Sequence, residues 1–327
     1  MAMVNIYNNC VLFIDINITC IFPSFLCFFH SFKVISPINS MSNQKETLAS
    51  NTIINGYLEN ALKINLNEYG FNTNKWPLLY IEWPIVLISI YIIVDLIFEP
   101  TKKEVELNKQ KNKGKKDTKW VSTLVLSLHN LLLCAFSVLC FYNTGPIIFN
   151  FVKNGWKNAV CNGDFSNAYT GIYGTWTYYF YLSKYYEFFD TWIILWKRRK
   201  PIFLQKFHHV GAVIGMWFVT SADATSGYIF VVQNSFIHSI MYLYYACTVW
   251  KIKIPKTIKS MITVLQMIQF VLGMSLGIIQ LIFYYDCITF GDKITILYHE
   301  IYVGILFILF RSFYINTYKR KKSQKKD

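Results

Sequence analysis

Charge is what this 327-residue chain has least of: 15% of its residues are charged and 54% are hydrophobic, where a soluble domain carries about a quarter charged residues. That shortage excludes an ordinary soluble domain. Acidic residues are scarcer still, 18 against 32 Lys and Arg, for a formal net charge of +14. The surplus is not a nucleic-acid surface, because the cations lie between long apolar runs rather than on a water-facing scaffold with interleaved aromatics. No CxxC pair occurs among the eight cysteines, which excludes a zinc or redox cysteine motif. No GxGxxG follows an apolar strand-like run, so no nicotinamide site is expected. What remains is oil and rings: 18% aromatic residues and a mean hydropathy of +0.32, the composition of an all-α membrane protein.

A spanning helix needs about 20 mostly apolar residues. That window predicts seven spans, at 77–98, 120–142, 172–196, 201–220, 226–249, 261–285 and 295–316. Lys and Arg mark the cytosolic side. Eight lysines fall in the loop 99–119, four cations in Lys197 to Lys200, four in Lys251 to Lys259, and six in the tail 319–327. The alternate loops hold only Lys153, Lys157 and Lys293, an asymmetry of 22 to 3. It puts the amino terminus in the lumen or outside and the carboxyl terminus in the cytosol. Residues 1–40 read as a signal-like segment, an eighth span, or sequence ahead of a start at Met41. Residues 41–76 read as a polar lumenal lead-in, and 99–119 as a disordered, solvated Lys/Asn linker between the first two spans of a 77–318 domain. Cys161 and Cys287 fall in lumenal loops, where a disulfide between them and two free thiols stand as equal alternatives.

Charged groups inside spans face cavities or one another and mark function by default. In the third span Lys184, Glu187, Asp190 and Thr191 share one helical face. A packing ion pair is the plain reading of Lys184 with Glu187, while Asp190 with Thr191 suits the orientation of an imidazole. The fourth span carries Gln205, Lys206, His208 and His209. Adjacent histidines diverge by about 100 degrees on a helix, so one serves a cavity and the other a neighbouring helix. In the fifth, Asn234, His238, Met241, Tyr242 and Tyr245 form one stripe, read as a cavity wall. Thr263, Gln266 and Gln269 in the sixth either line that cavity or glue helices together. Arg311 near the end of the seventh suits a phosphate or snorkels to headgroups.

These residues resemble a known family. KxxExxDT at Lys184 to Thr191, QxxHH at Gln205 to His209, NxxxHxxMYxYY at Asn234 to Tyr245 and TxxQxxQ at Thr263 to Gln269 occur in the order found in the ELO family of very-long-chain fatty acid elongases. The stretch Gly155 to Cys161 is similar to the branch acting on long-chain saturated and monounsaturated acyl-CoAs. The resemblance implies a seven-helix bundle enclosing an acyl tunnel in the endoplasmic reticulum membrane. It implies condensation of an acyl-CoA with malonyl-CoA to a 3-oxoacyl-CoA, with release of carbon dioxide and CoA and no bound cofactor or metal. It also implies partners that complete the cycle, a ketoacyl-CoA reductase, a dehydratase and an enoyl reductase; a homo-oligomer is left open. One departure stands out: the box the family writes HxxHH begins with Gln205 here. The amide is expected to orient His208 or His209.

The chemistry assigns His208, oriented by Asp190 and Thr191, as acyl acceptor or general base, with His209 and His238 polarising the malonyl thioester. CoA phosphates are expected near Arg198, Arg199, Arg311 and Lys319. Two rivals come from other classes. A membrane di-iron desaturase or hydroxylase needs about eight box histidines, and this chain has six in all. A seven-span receptor or transporter shares the topology, yet no receptor-type DRY or NPxxY pattern occurs.

Overall fold

The computed structural model describes residues 56–111 and 120–319, and every regular element among them is helical. The expectations for residues 1–40, for 41–55, for 112–119 and for the tail beyond Lys319 lie outside the described residues, as does the side chain of Lys319. In chain order the helices are α1 (Tyr57–Leu62), α2 (Glu82–Phe98), α3 (Lys102–Lys111), α4 (Trp120–Asn154), α5 (Trp156–Cys161), α6 (Asp164–Tyr169), α7 (Ile172–Tyr186), α8 (Phe188–Trp196), α9 (Phe203–Ser221), α10 (Asn234–Val249), α11 (Lys256–Phe283) and α12 (Phe290–Tyr314). A π-helical turn, Ile229–Gln233, leads into α10.

Each apolar run read as a span is helical, but the helices are unequal. Among the described residues three are long and apolar enough to cross a membrane, Trp120–Asn154, Lys256–Phe283 and Phe290–Tyr318; α2 with α3, bent by 67°, makes a fourth if the pair is one span. The segments between them are shorter or more polar: α7 has 15 residues, α8 has 9 and α10 has 16, and α9 carries Lys206, His208 and His209.

Two readings of the sequence are corrected. The linker 99–119 is helical over Lys102–Lys111. Thr101 and Glu104 cap it reciprocally, the Thr101 N–H donating to Glu104 Oε2 at 2.8 Å and the Glu104 N–H to Thr101 Oγ1 at 3.3 Å, a pairing that satisfies orphan donors at a helix start. The side chain of Asn108 then donates to the Lys197 carbonyl at 3.1 Å, docking α3 on the next basic loop. The second correction is α4, which does not stop at residue 142 but continues through Pro146 to Asn154. Its buried residues Leu126, Asn130, Leu133, Ser137, Cys140, Thr144 and Ile148 repeat every three or four positions. A seam of small and polar groups at that spacing lets another helix approach closely, and α10 lies along it.

α9 packs on α7 and α12. Gly211 and Gly215 make the second of these contacts: a Cβ on Gly211 would lie 2.1 Å from Tyr302 Cε2. Opposite the basic loops, the chain is pinned. Cys161 and Cys287 form a disulfide, Cα to Cα 4.8 Å. Thr289 and Asp292 form a capping box at the start of α12, and Asp292 Oδ1 also accepts from the Thr225 N–H at 2.6 Å. The lead-in before α2 is seated there by Phe71, stacked 5.9 Å from Trp217, and by the Asn72 N–H on the Ser221 carbonyl at 2.6 Å.

Candidate active site

α7 and α8 are one helix interrupted at Glu187, and the interruption is the centre of the site. Lys184 and Glu187 are both 3% exposed, with Lys184 Nζ donating to Glu187 Oε1 at 2.7 Å and to Asn234 Oδ1 at 3.2 Å. A buried charge persists when paired and hydrogen-bonded, and this pair is both. Asn234 spends its carbonyl on Lys184 and keeps its amide N–H groups for another acceptor. The π turn before Asn234 sets the register of α10, the kind of local insertion that clusters at functional sites.

The two adjacent histidines diverge. His208 lines a cavity together with Lys184, Asn234, Gln269, Phe230 and Tyr302. His209 points the other way, edge-on to Tyr91 at 6.2 Å and to Phe188 at 6.4 Å, with Nδ1 buried and, among the described residues, unpartnered. Tyr302 fixes His208: its hydroxyl donates to the His208 carbonyl at 2.9 Å and lies 3.1 Å from Nδ1. A hydroxyl that spends its one proton on the carbonyl can only accept from Nδ1–H. In the tautomer with the proton on Nδ1, Nε2 carries the free lone pair. Rings of His208 and His238 lie 6.3 Å apart.

The orientation expected from Asp190 and Thr191 does not occur. Asp190 Oδ1 is 2.7 Å from His129 Nε2, and Oδ2 accepts from the Tyr242 hydroxyl at 2.8 Å. Thr191 Oγ1 meets the Tyr91 hydroxyl at 3.0 Å and accepts from the Gln205 amide at 3.2 Å. Gln205 therefore bonds a threonine on α8, not either histidine beside it. The reason is angular: Asp190 and Thr191 are neighbours in a helix and diverge as the histidines do, one toward α4 and the other toward α2 and α9.

The α10 stripe splits in the same way. Asn234, His238 and Tyr242 face the polar cluster, with His238 Nδ1 3.7 Å from Glu187 Oε1; Met241 Sδ instead accepts from Gln266 at 3.5 Å, and the Tyr245 ring lies 6.1 Å from that of Tyr242. Gln269 reaches the cavity and Gln266 does not line it. Arg198, Arg199 and Arg311 are exposed and line neither cavity. A second, smaller cavity, toward Ser226, Gly277 and Ile296, shares Phe230, Gly273, His299 and Val303 with the first. The two run on from each other, away from the basic loops and toward the disulfide end.

Sequence reasoning missed His129 and Tyr302. Each is a single polar ring in an apolar run and belongs to no motif. The signal available was the row of small polar residues on α4, Ser127, Asn130, Ser137 and Thr144, which marks a face turned inward.

Among the described residues, one donor atom each of Glu187, His208 and His238 lie within 4.8 Å of one another. Lys184 already occupies Glu187 Oε1 at 2.7 Å, so the carboxylate is compensated by an ammonium, and the set does not fit a metal centre in this arrangement.

Comparison with known proteins gives a concordant result. The family model described as ELO: GNS1/SUR4 family matches residues 76–326. The chain is 33% identical over 156 residues to Putative fatty acid elongase 3 of Caenorhabditis elegans, 47% of this chain and 48% of that protein. It is 34% identical over 149 residues to Very long chain fatty acid elongase 4 of Trypanosoma cruzi (strain CL Brener), covering 44% and 51%. Against Very long chain fatty acid elongase 6 of Drosophila melanogaster it is 32% identical over 154 residues, covering 47% and 48%. The chain spans about half the length of the curated relatives it matches.

Proposed function

This chain belongs to the ELO: GNS1/SUR4 family, and from that membership and the cavity geometry we propose that it is a fatty acid elongase, condensing a long-chain acyl-CoA with malonyl-CoA. The products are a 3-oxoacyl-CoA two carbons longer, carbon dioxide and CoA, with one proton taken up. The observation that carries this reading is the Tyr302 contact, which suits the His208 tautomer with Nε2 unprotonated, on a residue of the cavity wall.

Decarboxylation of the malonyl group itself frees the electron pair that forms the new C–C bond, so no proton has to be abstracted from that carbon. A free imidazole lone pair is better used on the acyl thioester. Nε2 attacks the acyl carbonyl, the C–S bond breaks and CoA departs as a thiolate that is protonated from solvent. Malonyl-CoA then loses carbon dioxide, and its enolate displaces the imidazole from the acyl carbon. The Asn234 amide, with its oxygen held by Lys184, and His238 suit the stabilisation of the enolate oxygen. The acyl tail takes the linked cavities toward Ser226 and Gly277. Arg198, Arg199, Arg311 and Lys319, at the end rich in cations, suit the CoA phosphates. No bound cofactor or metal enters this scheme.

The same reading proposes seven spans in the endoplasmic reticulum membrane, counting the shorter polar helices as crossings shielded by the bundle. The amino terminus is then lumenal, the carboxyl terminus cytosolic, and Cys161 and Cys287 lie on the oxidising side. The 3-oxoacyl product needs a ketoacyl-CoA reductase, a dehydratase and an enoyl reductase as partners. Long-chain saturated and monounsaturated acyl-CoAs are the proposed substrates, on the strength of Gly155 to Cys161.

The test is incubation of purified protein in lipid with labelled malonyl-CoA and a panel of acyl-CoAs. Product two carbons longer than one of the primers is expected, with kcat falling at least about 100-fold in His208→Ala. A hydroxylamine-sensitive acyl-protein, formed without malonyl-CoA and absent in that variant, supports the covalent route. No incorporation by folded protein with any primer overturns the assignment.

A further inference from the structure

The carboxylate of Asp190 is held from an unexpected direction. His129, on α4 and 2% exposed, lies with Nε2 2.7 Å from Asp190 Oδ1 and Nδ1 3.2 Å from the Tyr186 hydroxyl. A carboxylate only accepts, so Nε2 carries the proton and Nδ1 accepts from Tyr186. The other carboxylate oxygen takes the Tyr242 proton at 2.8 Å. The Tyr242 ring in turn stands edge-on to His238, 5.5 Å between centroids. A chain of contacts thus runs from α4 through α8 to α10 and ends on a histidine of the cavity cluster.

Position 205, on α9, is where the resembled box has its first imidazole. Here the Gln205 amide bonds Thr191 Oγ1, the residue beside Asp190. The box meets the residue next to Asp190 in sequence, and the imidazole on the carboxylate comes from α4.

We propose that His129 is a positioning residue for the condensation, standing in for the imidazole that position 205 does not supply and holding Asp190 so that Tyr242 and His238 keep their places. It touches no reacting atom. Without it, Asp190 loses one of its two donors and is left close to the Glu187 carboxylate one turn earlier, in a half-buried wall where like charges repel. Groups held by such outer contacts lose function when the contact goes, by about 10- to 100-fold in metal sites.

The inference rests on the elongase reading, and the experiment separates the two. Full-length wild type, His129→Gln, Gln205→His and the swap His129→Gln/Gln205→His are purified in lipid and assayed for condensation and for thermal unfolding. For His129→Gln, kcat is expected to fall about 10- to 100-fold with KM for both substrates nearly unchanged. The swap is expected to recover at least half of that loss on a logarithmic scale, which a merely structural histidine would not permit. Unchanged kcat in His129→Gln, or a swap no more active than His129→Gln, overturns the proposal. If wild type condenses nothing, the elongase reading fails, and the unfolding temperatures still decide the pair: shifts that are not additive support coupling between positions 129 and 205, and additive shifts refute it.

Discussion

The two ends of the bundle use their polar side chains differently. At the disulfide end a set of bonds runs from side chain to backbone: Asp292 to the Thr225 N–H, Tyr169 to the Ala224 carbonyl, Tyr178 to Pro77, Tyr181 to Leu78 and Trp217 to Leu79. Around the cavity, beside the Tyr302 bond to the His208 carbonyl, a network runs from side chain to side chain: Lys184 to Glu187 and Asn234, His129 and Tyr242 to Asp190, Gln205 and Tyr91 to Thr191. A bond to backbone fixes the path of the chain. A bond between side chains fixes a protonation state or a ring orientation, and it can be exchanged when a substrate arrives. One end is built to hold its shape, and the other to present groups.

The contrast is broken most severely at Lys184. Lys184→Met leaves the Glu187 carboxylate buried without its ammonium, which costs about 3–5 kcal/mol, and condensation is lost with it. The paired change Lys184→Met/Glu187→Leu removes both charges at similar volume and is expected to restore most of the unfolding temperature without restoring product. Recovery of activity along with stability would show that the pair only packs helices. The disulfide gives the converse at somewhat smaller cost. Cys161→Ser releases a cross-link spanning 126 residues; the expected loss is about 2–5 kcal/mol, with kcat near wild type at a temperature where the variant stays folded. A variant with a normal unfolding temperature and no condensation would reverse the roles of the two ends.

The same division explains what could be read from the sequence. Side chains that act together on one helix leave a spacing: Lys184 with Glu187, and Asn234 with His238 and Tyr242, were legible as shared faces. His208 and His209 were legible as a pair in which one ring turns to a cavity, and Tyr91 with Phe188 shows where the other goes. Partners drawn from another helix leave no spacing. His129 and Tyr302 lie 61 and 94 residues from the atoms they hold, and Asp190, legible as an orienter, turned out to orient toward α10 rather than toward His208. At the disulfide end the Cys161 to Cys287 pairing was legible as one of two alternatives, and the bonds to backbone were not, because any tyrosine or tryptophan can reach a carbonyl once the fold brings it there. The capping pair Thr101 and Glu104, a local signal, was present in the sequence and outweighed in the reading by the lysine-rich composition around it.

The smallest effect is expected in the turn after α9, where the disulfide end carries an ion pair of its own. Lys75 Nζ lies 2.6 Å from Asp223 Oδ2 and donates to the Tyr169 carbonyl at 3.4 Å. Asp223 holds a left-handed backbone, φ 47°, a conformation Asp and Asn both tolerate, so Asp223→Asn changes charge with little strain. Burial raises the Asp223 carboxyl above its usual range, and Lys75 pulls it down without cancelling the rise. A raised carboxyl binds its proton more tightly in the folded state than in the unfolded one. Its contribution is therefore fully present below the unfolded value near 3.9 and is lost as pH rises through the folded value. The amide introduced by Asp223→Asn does not titrate. The unfolding temperature of wild type relative to that variant should accordingly be highest at acid pH and decline toward neutrality, with condensation unaffected throughout. A difference that grows with pH would mean that Lys75 outweighs burial, and that this end holds its shape by charge as well as by bonds to backbone.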